Sequence, residues 1–127
     1  MHILADRVPS RADLSTLLNH ELVHAVDASV HSLDLSTCAA LACSEIRAAS
    51  SAECSASWPT WYRALCVRNR AVASTAMVFP EHGSACVDVL YTKCSAIGVS
   101  ESPLPIVSEA LRAEAQALDA STRRSLS

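Results

Sequence analysis

Aromatic residues are few in this chain, with one Phe, two Trp and two Tyr among 127 residues, and there are only two Gly. Low glycine beside abundant alanine disfavours a turn-dense sheet and favours helices. Half of the residues are hydrophobic, but much of that fraction is alanine. Alanine removes little area from water, so at the usual value of about 25 cal/mol/Å² the core is thin. No run of about 18 apolar residues occurs, so nothing in the sequence spans a bilayer, and any membrane association would be peripheral. The first residues carry neither an Arg- and Ser-rich amphipathic presequence nor a secretory apolar core. There is no excess of basic charge: a net charge of −3 and a pI near 5.9 argue against a nucleic-acid surface. None of the six Cys forms a CxxC pair, so the chain does not read as a zinc ribbon.

What is present is His20-Glu21-Leu22-Val23-His24, an HExxH run inside an apolar-periodic stretch. A helix advances about 100° per residue, so the two histidines project from one face, one turn apart. Imidazoles so placed can grip one metal ion. Glu21 sits beside that ion rather than on it, where its carboxylate can take a proton from a water that the ion polarises. The pattern points to a zinc metallopeptidase, with solvated or core-edge residues of an ordinary helix as the plainer alternative. Pro9 to Asp13 is turn-like and offers Ser10 or Asp13 as a cap. Leu14, Leu17, Leu18, Val23, Ala25 and Val26 then form the expected apolar face of a helix over residues 12–29.

A catalytic zinc site needs three protein donors and one open position. Glu45, in a second expected helix from Thr37 to Ala49, lies far enough downstream for one turn and an antiparallel return, which suits a His₂Glu set. Asp27 falls on the histidine face and is the competing choice, either as a ligand or as a group that orients a histidine from behind. A surface glutamate on an alanine-rich helix is the plain reading of Glu45.

Further helices are expected over Arg63–Met77 and Ser84–Ala96, separated by a break at Pro80-Glu81-His82-Gly83. Arg68 and Arg70 project on different sides of the first, where one could pair with Asp27, Glu45 or Asp88. His82, like His2 and His31, reads as a turn histidine. The organisation expected is one domain over residues 1–99, then a linker and a C-terminal amphipathic helix or tail over residues 100–127, helical from about Ile106. The cysteines at 38, 43, 54, 66, 86 and 94 suit disulfides in an oxidising compartment, or buried thiols. Six cysteines allow 15 pairings, and only Cys38–Cys43 is disfavoured, since the two point in different directions on one helix.

Four blocks in order carry a resemblance: Asn19 to Asp27, Ala42 to Ala49 with Cys54 after it, Cys66 to Ala71, and Val87 to Val89 leading to Cys94. From about Ile3 to Cys94 the chain resembles the mitochondrial inner-membrane protease and ATP synthase assembly factor family. The resemblance implies a zinc peptidase bound peripherally on the intermembrane-space side of the inner membrane. It would process a mitochondrially encoded ATP synthase membrane subunit precursor and assist assembly of that enzyme. It also implies a short strand before the motif helix, whereas Met1-His2-Ile3-Leu4 reads as the end of that strand. The spacing from Cys54 to Cys66 is shorter than the family pattern.

The fold expected is therefore mainly α, a zincin-like helical metallopeptidase domain with a small or truncated β edge. His20, His24 and Glu45 are the expected zinc ligands and Glu21 the catalytic base, acting on a protein substrate. The alternatives are a proteolysis-independent assembly chaperone, or a small disulfide-braced helical interaction module without metal.

Overall fold

In a computed structural model, which describes residues 10–126, Ser10 opens the first helix. Its side-chain oxygen accepts the backbone N–H of Asp13 at 3.0 Å, supplying one of the partners that a helix start lacks. Five helices follow: α1 (Arg11–Ser29), α2 (Cys38–Ser51), α3 (Thr60–Val78), α4 (Gly83–Ala96) and α5 (Leu104–Leu126). Among the described residues there is no strand, and the protein is mainly α. The strand expected at Met1 to Leu4 lies outside the described residues.

α1 ends where Ser32 turns left-handed, at φ 58°. The N–H of Leu33 then returns to the carbonyl of Asp27 at 2.9 Å, a closure that satisfies a terminal carbonyl of the helix. The chain turns back through Asp34, whose carboxylate accepts from Ser36. Thr37 caps α2 by accepting the N–H of Ala40.

α2 is the central helix. It packs against α1, α3, α4 and α5, and all but one of the residues from Ala39 to Ala49 are buried. A helix enclosed on every side must be small or apolar around its whole circumference. Alanines 39, 40, 42, 48 and 49 meet that need, and Ile46 fills the space between them. Val67 and Ala71 of α3, Val87 and Leu90 of α4, and Val107 of α5 complete the core.

Three disulfides reinforce this alanine-rich interior: Cys38–Cys86 and Cys43–Cys94 tie α2 to α4, and Cys54–Cys66 ties the end of α2 to α3. The first two close loops of 48 and 51 residues and the third one of 12. By chain entropy such loops contribute about 4 and about 3 kcal/mol each. Cys38 and Cys43 do not pair with each other, as their positions on α2 imply.

The expected apolar face of α1 is a correction. Leu14, Leu17, Leu18 and Leu22 are 47 to 60% exposed, and Ala25 is exposed as well. What α1 buries is Val23 and Asp27, with His20 and His24 half-buried beside them. Apolar residues lie on both sides of this helix, so periodicity selected the more leucine-rich side. The polar side is the one turned inward, because its imidazoles and carboxylate find partners on α2.

Two boundaries also move. α3 starts at Thr60, directly after Pro59, three residues before the expected Arg63. α5 starts at Leu104, and its first turns bury Val107 and half-bury Ile106 and Ala110 against the core. Gly83 begins α4 where it crosses the end of α3. A Cβ there would stand 2.8 Å from the backbone N of Ala76, so only glycine permits the approach. Among the described residues no helix is long and apolar enough to cross a membrane.

Candidate metal centre

Packing of α1 on α2 brings the paired histidines over the carboxylate of Glu45. The rings of His20 and His24 have centroids 4.7 Å apart, and their Nε2 atoms are separated by 3.0 Å. Glu45 Oε1 lies 2.6 Å from His24 Nε2 and 3.6 Å from His20 Nε2. One nitrogen from each imidazole and one oxygen from the carboxylate thus fall within 4.8 Å of one another.

The groups behind the rings determine what those atoms can be. Ser44 Oγ donates to Asp27 Oδ2 at 2.8 Å, which uses the only hydroxyl proton. At its other contact, 2.7 Å from His24 Nδ1, the same oxygen must accept, so His24 carries its proton on Nδ1. His20 Nδ1 meets Glu53 Oε1 at 2.5 Å, and a carboxylate can only accept there. In the neutral form of both rings, each Nε2 therefore presents a bare lone pair to the same point as Glu45 Oε1. Three acceptors converging without a proton require a cation, and imidazole nitrogens backed by hydrogen-bond acceptors are the usual setting of a metal-bound histidine. The residues present fit a divalent metal ion. The buried Oε2 of Glu45, which has no hydrogen-bond partner, agrees with that fit.

Asp27 does not join the cluster. It is fully buried, takes the Arg47 guanidinium at 3.0 Å and the Ser44 hydroxyl, and so holds His24 through Ser44. Arg47 extends the chain by donating to the carbonyls of Gly98 and Val99 at 3.0 and 2.9 Å. The α4–α5 connection is thereby fastened to the support of His24. Of the partners the sequence offered Arg68 and Arg70, namely Asp27, Glu45 and Asp88, Arg68 takes Asp88, at 2.8 Å in an exposed bridge, while Asp27 is held by Arg47. Ser44 and Arg47 had a readable signal, being polar residues three apart, on either side of Glu45 and Ile46, in an alanine-rich helix. Glu53 had none, since it follows the end of α2.

The metal-free electrostatics are those of a proton shared by the cluster. Burial opposes the charged form of His24, but the hydrogen bond and charge of Glu45 outweigh it, aided by Glu21 and Asp27, and raise its pKa above the ordinary 6.5. Burial likewise favours a neutral Glu45, yet bonding to His24, with Ser74 and the His20 charge adding to it, holds the carboxyl below its ordinary 4.5. Glu21 projects into solvent beside His20.

His20, Glu45 and Glu53 open onto a cleft of about 230 Å³ whose far wall is Asn69, Arg70, Ala73 and Ser74 of α3. The two other described histidines stand apart: His82 at the start of α4, exposed, and His31 past the end of α1.

Two histidines one turn apart on an HExxH helix, faced by a glutamate from the next helix, form a metallopeptidase-type site. The family model described as the peptidase M76 family matches residues 1–96. The chain belongs to that family, which makes it a peptidase-type protein with a protein substrate. Neither a curated protein nor a solved structure matches it.

Proposed function

We propose that the protein is a zinc metalloendopeptidase in which His20, His24 and Glu45 hold the ion and Glu21 is the general base. One observation carries this reading: two imidazole nitrogens, each on a ring whose Nδ1 is held by an oxygen from behind, and a carboxylate oxygen converge within 4.8 Å. Nitrogen and oxygen donors in a His₂Glu set suit zinc and leave a position open. Bound there, the ion supplies Lewis acidity toward water and the scissile carbonyl.

The chain's own residues do the rest. Glu21, exposed next to His20, takes a proton from the attacking water as the water oxygen bonds to the carbonyl carbon. When the C–N bond breaks, that proton passes to the leaving amine. Ser44, Asp27 and Arg47 keep the His24 ring in one tautomer and one orientation, and Glu53 does the same for His20. The α3 wall bounds the space in which a peptide lies.

The finer proposal concerns place and substrate. The resemblance over residues 3–94 and the three disulfides, which suit an oxidising compartment, support a peripheral position on the intermembrane-space side of the mitochondrial inner membrane. The substrate proposed there is the precursor of a mitochondrially encoded ATP synthase membrane subunit.

Metal content and cleavage by the purified chain test the reading together. Zinc at one per chain and a Glu21→Gln variant that keeps zinc but cleaves nothing are expected. Cleavage surviving Glu21→Gln would remove the assigned base, and a chain without stoichiometric zinc would leave an interaction module. Accumulation of the unprocessed precursor in cells carrying Glu21→Gln tests the substrate.

A further inference from the structure

Arg70 stands in the α3 wall of the cleft, across from His20, Glu45 and Glu53. The other arginines of α2 and α3 are all engaged: Arg47 with Asp27, Arg63 with the carbonyl of Ser50 and Arg68 with Asp88. Arg70 alone among them has no hydrogen bond or ion pair to any described residue, although two carboxylates share its cleft. Two positions along a helix rotate by about 200°, which is why Arg68 turns to α4 while Arg70 turns to the cleft.

A guanidinium keeps its charge at every working pH. The cleft therefore carries a permanent cation that no described residue ties down. Ala49 and Ala73 line the same space and fill little of it, so a peptide backbone can pass between the α2 and α3 walls. Arg70 and Ser74 of α3 line the same cleft of about 230 Å³ as His20 and Glu45, so a carbonyl reacting beside those two groups does so in a space that α3 bounds.

We infer that Arg70 binds the oxygen of the scissile carbonyl and stabilises the negative charge that forms there as water adds. This rests on the peptidase reading above. The charge arises in a site already lined by Glu45 and Glu53, whose like charge a cation in the same cleft offsets. A donor aimed at a developing oxyanion acts on the transition state more than on the bound peptide.

The test uses the zinc-loaded full chain, a peptide substrate, and the variants Arg70→Gln and Arg70→Lys. Arg70 is exposed, so melting temperature and zinc content should match the wild type. Arg70→Gln should lower kcat by about 10²–10³-fold with KM changed only a few-fold, the range for loss of one oxyanion donor, and Arg70→Lys should recover part of it. Equilibrium binding gives a second readout. A phosphinic peptide, which presents a tetrahedral anion, should bind Arg70→Gln more weakly by a similar factor, while a peptide hydroxamate binds both proteins alike. An unchanged kcat, a loss confined to KM, or equal weakening of both inhibitors would overturn the role of Arg70 while leaving the peptidase reading in place. A wild type that holds no zinc and cleaves nothing would overturn both.

Discussion

Ser44 holds His24 through an oxygen 2.7 Å from Nδ1, and its one proton is already given to Asp27. The hydroxyl thus sets which nitrogen of His24 is free to bind. Ser44→Ala should lower zinc affinity by about 10–100-fold, the usual cost of losing a group that orients a metal-bound histidine. Competition against a chromogenic chelator measures it. Affinity equal to wild type would show that the ring needs no such support.

The His24–Glu45 contact makes the metal-free protein pH-dependent in a defined window. His24 has a raised pKa, so its contribution is fully present below its ordinary 6.5 and is lost as pH rises through the folded value. Glu45 has a lowered pKa, so its contribution is present above its ordinary 4.5 and is lost as pH falls through the folded value. The pair therefore stabilises the metal-free chain most between those two ordinary values. Melting temperatures of wild type minus those of Glu45→Gln, without metal, should peak in that window and shrink toward pH 8. With zinc present the trend should reverse above pH 6.5, because the ion displaces the proton from the same nitrogen.

Arg47 and Asp27 form a buried pair at the centre of the molecule, 2% and 0% exposed. Removing one partner strands the other charge, at a cost of about 3–5 kcal/mol. Arg47→Met should cost that much in urea unfolding and should also weaken zinc, since Asp27 would lose the group that positions it behind Ser44. A small stability change would mean that water enters to solvate Asp27.

Gly83→Ala should destabilise by about 1–3 kcal/mol, because the added carbon meets backbone rather than a side chain that can turn away. Zinc affinity should fall with it, since the contact is with Thr75 and Ala76, directly after the Ser74 that bonds Glu45. Denaturation and chelator competition on the same sample measure the two effects.

The histidine spacing was legible because helical geometry alone puts residues 20 and 24 on one side. Glu45 was legible from its separation, which allows one return helix. The orientation of α1 was not, since Leu14, Leu18 and Leu22 form a better apolar stripe than the side that is buried. Its inward face is held by Asp27, Ser44 and Arg47, and a buried polar network carries no hydrophobic period. Glu53 was hidden for a related reason, as its position depends on how the chain leaves α2. The cysteine pairs depended on how α2 crosses α4 and how the chain passes from α2 into α3, which no linear spacing encodes.

All three disulfides join α2, α3 and α4, and none reaches α1. Among the described residues α1 packs on α2 alone, yet it supplies two of the three metal donors. An ion held between His20, His24 and Glu45 would then act as a rivet for a helix that no disulfide ties to the site. Chelation should leave amide protons of α2 and α4 slow to exchange while those of α1 become fast. Loss of the ion would thus take the reactive centre apart and leave the covalently tied scaffold standing, ready to be charged again.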